Sequence, residues 1–208
     1  MEAWTATGPR PRISGTWSGA SSRSWTVGEN PGLWCEFHPL KARVPDGGFK
    51  IHLSITHEHA SDLLTAVVPI FVEEGVSFKV LVDERILDFS NSTFWGRGAC
   101  GKFVTIYAAD NEQLKRLLPR LHEATKGFQG PYILSDKRYK DSKVIFYRFG
   151  AFRRAQRVNV FGEPIALVRL ADGSSSRTIG CPTSPCPRGW RTRSRTRRRK
   201  KKRAKTPS

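Results

Sequence analysis

The feature that most constrains the fold is a strict alternation of apolar and polar side chains over residues 49–55. This period-two pattern predicts a half-buried β-strand, because successive side chains of a strand point to opposite faces of its sheet. Lys50, His52 and Ser54 are then expected on the polar face, so two side chains that can carry protons share one face of a rigid element. A solvated strand face explains the same pattern, and the rest of the chain must decide between the two interpretations.

Comparable patterns recur along the chain and predict further strands and helices. Apolar runs predict strands at 76–82, 102–107 and 142–149, with a short hairpin at 158–170. Leucines and valines at helical spacing predict one helix between Thr56 and Gly75 and another between Asp110 and Gly127, since Thr and Asp favour helix starts and Gly favours the residue past the end. The first helix contains Pro69, which is expected to kink it or end its regular part.

The order of these elements predicts an α+β fold. We expect a single domain at residues 34–170, with a central, mostly antiparallel sheet and helices packed on it. Residues 84–101 are expected to form a long loop, and residues 135–141 a charged turn. Residues 1–30 are rich in Ser, Thr, Gly and Arg without periodicity, so we expect them to be largely disordered.

The net charge of +18 belongs mostly to the last part of the chain. Residues 174–208 hold 13 of the 36 Lys and Arg and no acidic residue, which leaves 23 basic against 18 acidic residues, or +5, in the other 173. We therefore expect a disordered basic tail after a mildly basic domain. The tail predicts non-specific, salt-sensitive binding of nucleic acid.

Other classes of protein find little support in the sequence. No run of 18 apolar residues predicts a membrane helix, and no signal peptide is evident. The four cysteines show neither a disulfide framework nor a zinc spacing, so reduced thiols in a cytoplasmic protein are expected. His57 and His59 would not share a helix face, so no metal site is predicted.

The first predicted strand carries a single His, and Lys and Arg residues occur on this strand and on the strands and loops that follow it. Together these polar residues are Lys50, His52, Lys79, Arg97, Lys102, Arg138 and Arg148. Lys and Arg bind phosphate oxygens strongly. A desolvated Lys among other cations has a lowered pKa and suits a general base, and a protonated His beside phosphate suits a general acid. If the residues converge, this set suits β-elimination of phosphate; scattered surface charges are the alternative.

Four stretches resemble the N-terminal lyase domain of class III lanthipeptide synthetases: FKIHLSI, SFKVL, FWGRGACGKFVTIY and GPYILSDKRYKDSKVIFYRFGAF. The resemblance covers roughly residues 34–170, and the four stretches occur in the same order as in the family. The lyase domain is in turn distantly similar to bacterial effector phosphothreonine lyases. The resemblance implies removal of phosphate from phosphoserine or phosphothreonine in a precursor peptide, which leaves dehydroalanine or dehydrobutyrine without any cofactor.

The resemblance also implies a role for each matched residue. Lys79 would take the α-proton and His52 would protonate the departing phosphate. The phosphate would be held by Lys50, Arg97 and Arg148. Supporting roles would fall to Lys102, Tyr107, Asp136 and Arg138. Strand parity agrees for Lys50, His52 and Lys79, but Arg148 shares its face with apolar Phe146 and could instead be a snorkelling structural residue.

The chain departs from a full synthetase because it shows no kinase or cyclase motif. A separate kinase and cyclase are therefore expected partners, beside the phosphorylated precursor peptide. The resemblance fades near residues 171–173, which leaves open a reading frame broken there or a free-standing lyase with a true tail. Two other functions remain open: an inactive module that binds the precursor peptide, and a nucleic-acid-associated protein that acts through its tail.

Overall fold

A computed structural model describes residues 25–30, 33–40, 42, 44–92, 94–96, 98–152, 155–158, 164–169 and 175–177 of the chain. Within these residues, a seven-stranded sheet is formed by β1 (Trp25–Asn30), β2 (Trp34–Pro39), β3 (Gly47–Leu53), β4 (Ser77–Leu81), β5 (Val104–Tyr107), β6 (Lys137–Arg138) and β7 (Ile145–Ala151). The spatial order is β1-β2-β4-β5-β3-β7-β6, and all neighbours are antiparallel. The helices are α1 (Ala60–Glu74), α2 (Glu84–Asn91) and α3 (Asn111–Ala124). The predicted α+β class with an antiparallel sheet is confirmed.

One face of this sheet forms the hydrophobic core. Alternate residues of the central strand β3, namely Phe49, Ile51 and Leu53, are buried, as the period-two pattern predicts. The apolar faces of α1 and α3 close over this side of the sheet with residues that include Leu63, Val67, Phe71, Leu114, Leu117 and Leu121. Because the apolar sides of the strands are used in this way, their polar side chains are left on the opposite face.

The ends of the helices follow from local chemistry. The Asp110 carboxylate accepts a hydrogen bond of 2.7 Å from the backbone N–H of Gln113, which caps α3 as predicted. Gly75 ends α1 in the left-handed conformation (φ 57°), as predicted. The helix starts later than expected, since a 3-10 turn separates Thr56 from Ala60. Pro69 also does not end it, because α1 runs through this exposed position to Glu74.

The structure corrects three expectations about loops and termini. The segment expected to be a long loop, 84–101, begins with α2, whose N-terminus is capped by the Asp83 carboxylate accepting from the Arg85 N–H at 2.6 Å. The expected charged turn at 135–141 contains the short strand β6. Strand β1 lies within the segment 1–30 that was expected to be largely disordered. Each of these elements has eight residues or fewer, so periodicity identifies it poorly.

A second, three-stranded antiparallel sheet follows the first in the described part of the chain. It consists of β8 (Ala155–Val158), β9 (Pro164–Arg169) and β10 (Ser175–Arg177). Strands β8 and β9 pair as expected for the hairpin at 158–170, while β10 lies inside the segment expected to be a tail. Residues 1–24 and 178–208 lie outside the described residues, so their predicted disorder stays a prediction. No helix in the described residues is long and apolar enough to cross a membrane.

Candidate active site

A straight row of side chains crosses four strands on the polar face of the sheet. Glu36 on β2 lies opposite Lys79 on β4, Lys79 lies opposite Thr105 on β5, and Thr105 lies opposite His52 on β3. Directly opposite residues of antiparallel strands point to the same face. The backbones of Lys79 and His52 are two strand spacings apart, or about 10 Å. The register therefore places the two predicted proton-transfer residues in one row with Thr105 between them.

A second row lies beside the first. Tyr107 is opposite both Ser77 and Lys50, and Lys50 is opposite Arg148 on β7. This register places Arg148 on the polar face, beside Lys50, while its role as a phosphate ligand stays a prediction. Phe146 shares that face, but it is buried, and its ring contacts the ring of Tyr132 edge to face at 5.1 Å between centroids.

The two rows form the floor of a cavity of about 500 Å³. Its lining residues are Trp34, Lys50, His52, Lys79, Gly96, Gly98, Ala99, Lys102, Thr105, Tyr107 and Arg148. The segment that follows α2 forms one wall. Arg97 lies outside the described residues, although Gly96 and Gly98 on either side of it line the cavity. Arg138 is exposed on β6 and is not among the lining residues.

Asp136 is the buried carboxylate behind this cavity. It forms a hydrogen bond with Nδ1 of His52 through Oδ2, and its Oδ1 accepts a hydrogen bond of 2.6 Å from the Ser135 hydroxyl. Oδ1 also lies 3.4 Å from Nζ of Lys102 and 3.7 Å from Nε of Arg148. Because one carboxylate contacts the imidazole and two cations, it fixes their positions relative to one another.

The pair of His52 and Asp136 has a defined protonation pattern. Burial raises the pKa of Asp136, but the hydrogen bond and charge of His52 and the charge of Lys102 outweigh it, so this pKa falls well below its ordinary value. Burial and then Lys102 lower the pKa of His52, and they outweigh the opposing effect of Asp136. A carboxylate can only accept, so Nδ1 of His52 donates to it. Since Nδ1 is used in this way, Nε2 of His52 can face a ligand.

The amines of the site destabilise one another's charges. Burial and, to a smaller extent, the charges of Arg148, Lys79 and Lys102 together lower the pKa of Lys50 to about 7, against an opposing effect of Asp136. Burial likewise lowers the pKa of Lys102 to about 8, helped by Arg148 and Lys79 and opposed by Asp136. Mutually repelling cations in a concave site favour an anionic ligand.

Aromatic rings line the side of the cavity near Lys79. Nζ of Lys79 lies 4.3 Å from the ring centroid of Trp34, and Nζ of Lys50 lies 5.6 Å from that of Tyr107. Burial and the charge of Glu36 raise the pKa of Tyr107, so its hydroxyl stays neutral and can donate a hydrogen bond.

Sequence reasoning missed three residues of the site. Trp34 and Thr105 line the cavity, and Ser135 binds Asp136. The alternation Trp34, Glu36, His38 on β2 could have identified the first, since these side chains share the face that carries Lys79. Thr105 follows from the parity of the predicted strand at 102–107. By contrast, Ser135 is adjacent to Asp136 in the chain, and no periodic pattern in the sequence signals its contact with that carboxylate.

In chemical terms, the cavity presents several cations and a single His that is anchored by a carboxylate. This set can bind a dianion such as a phosphate monoester and can exchange protons with it. Among the described residues, no three His, Cys, Asp or Glu side chains form a group that could hold a metal ion.

Comparison with known proteins matches this chain to a family. The family model described as "RamC, N-terminal domain" matches residues 15–206. A Streptomyces coelicolor protein described as "Probable SapB synthase" is 36% identical over 142 residues, which are 68% of this chain and 15% of that protein. The chain thus spans a small part of the length of this curated relative.

Two solved structures are also similar. The type III effector and phosphothreonine lyase OspF from Shigella flexneri is 19% identical at a TM-score of 0.48, over 61% of this chain and 70% of that one. The Salmonella plasmid virulence C protein, SpvC, is 18% identical at a TM-score of 0.47, over 71% of this chain and 75% of that one.

Proposed function

The chain belongs to the family of the RamC N-terminal domain, and from this premise we propose that it eliminates phosphate from phosphoserine or phosphothreonine in a precursor peptide. The products are inorganic phosphate and a dehydroalanine or dehydrobutyrine residue. The observation that supports this most directly is the single row that holds Lys79 and His52, with His52 anchored on Asp136, at the floor of a cationic cavity.

In this proposal, Lys79 is the general base. Its neutral amine takes the proton from Cα of the phosphorylated residue, and the electron pair of that C–H bond forms the Cα–Cβ double bond while the Cβ–O bond breaks. The charges of Lys50 and Lys102 lie within electrostatic reach of its Nζ and disfavour the ammonium form, which suits a base that must work near neutral pH.

His52 is the general acid for the departing phosphate oxygen. Burial and Lys102 lower the pKa of His52, whereas a bound phosphate brings up to two negative charges and so favours the imidazolium form. Asp136 then stabilises the imidazolium through Nδ1 and keeps Nε2 directed at the oxygen. The proton passes from Nε2 to that oxygen as the Cβ–O bond breaks.

In this proposal, the cations of the second row bind the phosphate. Lys50 and Arg148 lie opposite each other at the floor of the cavity, and Arg97 is proposed as the third ligand because its two neighbours line the cavity. Lys102 donates a hydrogen bond of 2.6 Å to the carbonyl of Gly98, and its amine also pairs with Asp136. It therefore ties the wall of the cavity to the buried carboxylate.

The test is mass spectrometry of a phosphoserine peptide incubated with the protein. We expect the peptide to lose the elements of phosphoric acid and to gain a residue that adds thiols. Lys79→Ala should be inert because the base is gone. Lys115→Ala, at an exposed position of α3, is the matched control and should retain full turnover. Formation of serine in place of the dehydro residue would show hydrolysis and contradict the proposal.

The same cationic cavity also supports a second candidate, an inactive module that binds a phosphorylated peptide. Replacing Lys79, the proposed base, distinguishes the two functions. A binding module would retain its affinity in Lys79→Arg, since the positive charge is kept, and its wild type would leave the phosphopeptide unchanged. The lyase would lose turnover in the same variant because a guanidinium is not a general base near neutral pH.

A further inference from the structure

Glu36 lies at the end of the catalytic row and has no role in the mechanism above. It is directly opposite Lys79 in the register of β2 and β4, and both side chains point to the polar face of the sheet. Directly opposite residues have Cβ atoms about 5 Å apart. Oε2 of Glu36 also lies 3.6 Å from Nε2 of His38, two residues further along the same strand.

A second cavity adjoins this carboxylate. Its volume is about 430 Å³, and Glu36 and His38 line it together with Tyr107. Tyr107 also lines the catalytic cavity, so the two cavities share a wall. The charge of Glu36 acts across this wall, since it contributes to the raised pKa of Tyr107. The carboxylate of Glu36 thus lies opposite Lys79 in the sheet and lines the second cavity, which water can fill.

We propose that Glu36 is a positioning residue for Lys79: its carboxylate orients the amine along the row and increases the affinity of that amine for a proton. Each proton-transfer side chain then has its own carboxylate. Asp136 serves His52 from behind the cavity, and Glu36 serves Lys79 from the opposite end of the row. The inference rests on the proposed elimination only in treating Lys79 as the base.

The charges around Lys79 explain why such a carboxylate matters. The charged and titratable groups that line the two cavities around Lys79, or contact their lining, are Glu36, His38, Lys50, His52, Lys102, Tyr107, Asp136 and Arg148. Lys79 contributes to the lowered pKa values of Lys50 and Lys102, so these amines lie within electrostatic reach of one another. Asp136 already contacts His52, Lys102 and Arg148. Glu36 is the carboxylate on the Lys79 side.

The experiment is an NMR titration of the Lys79 side chain in the full-length protein. Protein labelled with ¹³C in its lysines gives a Cε signal for Lys79, assigned by its loss in Lys79→Met. We expect the midpoint of this titration to fall by about one pH unit in Glu36→Gln, because one nearby opposite charge is removed. Glu36→Asp keeps the charge, and its midpoint should stay close to that of the wild type.

Glu112→Gln is the matched control, since it removes one exposed carboxylate from α3. It should leave the Lys79 midpoint unchanged. An unchanged midpoint in Glu36→Gln, or an equal shift in Glu112→Gln, would overturn the inference. If Glu36→Gln does not fold, Glu36→Thr takes its place in the titration: a midpoint lowered by about one unit supports the inference, and an unchanged midpoint contradicts it.

The pH profile of turnover gives a second readout. For an active wild type, the acidic limb of kcat/KM should move to lower pH in Glu36→Gln, in step with the Lys79 titration. Above this limb, kcat should fall several-fold, because a weaker base accepts a carbon-bound proton less readily. The NMR titration does not require activity. An inactive wild type would contradict the proposed function, whereas an unshifted titration would contradict only the role of Glu36.

Discussion

A single buried carboxylate organises the site at the scale of the residue. Asp136 contacts an imidazole, an amine and a guanidinium, each from a different part of the chain. A buried charge is costly unless it is paired, and here the partners also supply the positive charge that a phosphate needs. The arrangement therefore stabilises the cations of the site and keeps His52 in one orientation.

The first prediction concerns Asp136→Asn. We expect it to lower the free energy of unfolding by about 3 kcal/mol at pH 7, because it leaves buried cations without their carboxylate. The pKa of Asp136 is depressed in the folded state, so its stabilisation is present above the unfolded value of about 4 and is lost as pH falls toward the folded value. Urea denaturation at pH 7 and pH 3 measures both effects.

Asp136→Asn should therefore lose less of its free energy of unfolding than the wild type when the pH falls from 7 to 3. Asp141→Asn is the matched control, since Asp141 pairs with His122 at an exposed site. It should leave the free energy of unfolding nearly unchanged. If Asp136→Asn were as stable as the wild type at pH 7, the carboxylate would not hold the cations together.

The second prediction concerns Lys50, whose pKa is lowered to about 7 mainly by burial. Sulfate remains a dianion from pH 5 to pH 9, so its binding reports the charge of the protein alone. We expect its affinity to fall by up to tenfold per pH unit above pH 7, as Lys50 loses its proton. Isothermal titration calorimetry measures this dependence. Lys50→Met should bind sulfate more weakly, and a pH slope as steep as that of the wild type would contradict the assignment.

At this scale, the sequence predicts which side chains share a face but not how they pair. Alternation in two strands correctly places Lys50, His52 and Lys79 on the polar face. It left Arg148 undecided, because Phe146 on the same face is apolar, and only the edge contact with Tyr132 explains how that ring is covered. The contacts of Asp136 join segments that are distant in sequence, so no local pattern encodes them.

At the scale of the element, the register of the sheet determines which side chains lie in the same row of the polar face. Strand β3 pairs with β5 on one side and β7 on the other, and a slip of one residue in either pairing would turn a row of the cavity floor toward the core. The buried alternation of β3 opposes such a slip. The long strands and helices were predictable because each repeats its pattern, whereas α2, β1 and β6 are too short to do so.

The third prediction concerns Gly130, which lies in the segment that leads to Asp136. A Cβ built there would lie 2.6 Å from the backbone carbon of Ser54 and 2.7 Å from the backbone nitrogen of Ile55. Backbone atoms at the end of β3 cannot move aside cheaply. We expect Gly130→Ala to lower the free energy of unfolding by about 1–3 kcal/mol, as measured by urea denaturation.

The same variant should also reduce turnover, because the shifted segment carries Asp136 away from His52. The control is Gly96→Ala, where a Cβ would meet nothing within 4 Å, and its free energy of unfolding should stay close to that of the wild type. Equal stability of Gly130→Ala and Gly96→Ala would show that the close approach to β3 is not required.

At the scale of the whole molecule, the candidate active site and most of the net charge lie in different parts of the chain. The cavity lies in the sheet, between residues 34 and 148, while 13 of the 36 basic residues lie in 174–208. Composition predicts this division of charge, but it cannot reveal the cationic cavity, whose few amines and guanidinium are brought together only by the fold.

The last prediction separates the two parts of the chain. Replacing the six consecutive basic residues Arg197–Lys202 by Gln should weaken retention on DNA and reduce its dependence on salt, because fewer phosphates are neutralised. Turnover of the phosphoserine peptide should be unchanged, since no lining residue of the cavity is altered. Filter binding at several salt concentrations measures the first effect and mass spectrometry the second. If DNA retention persisted while sulfate competed for it, the cationic cavity would be the DNA-binding surface, and the nucleic-acid function would belong to the domain itself.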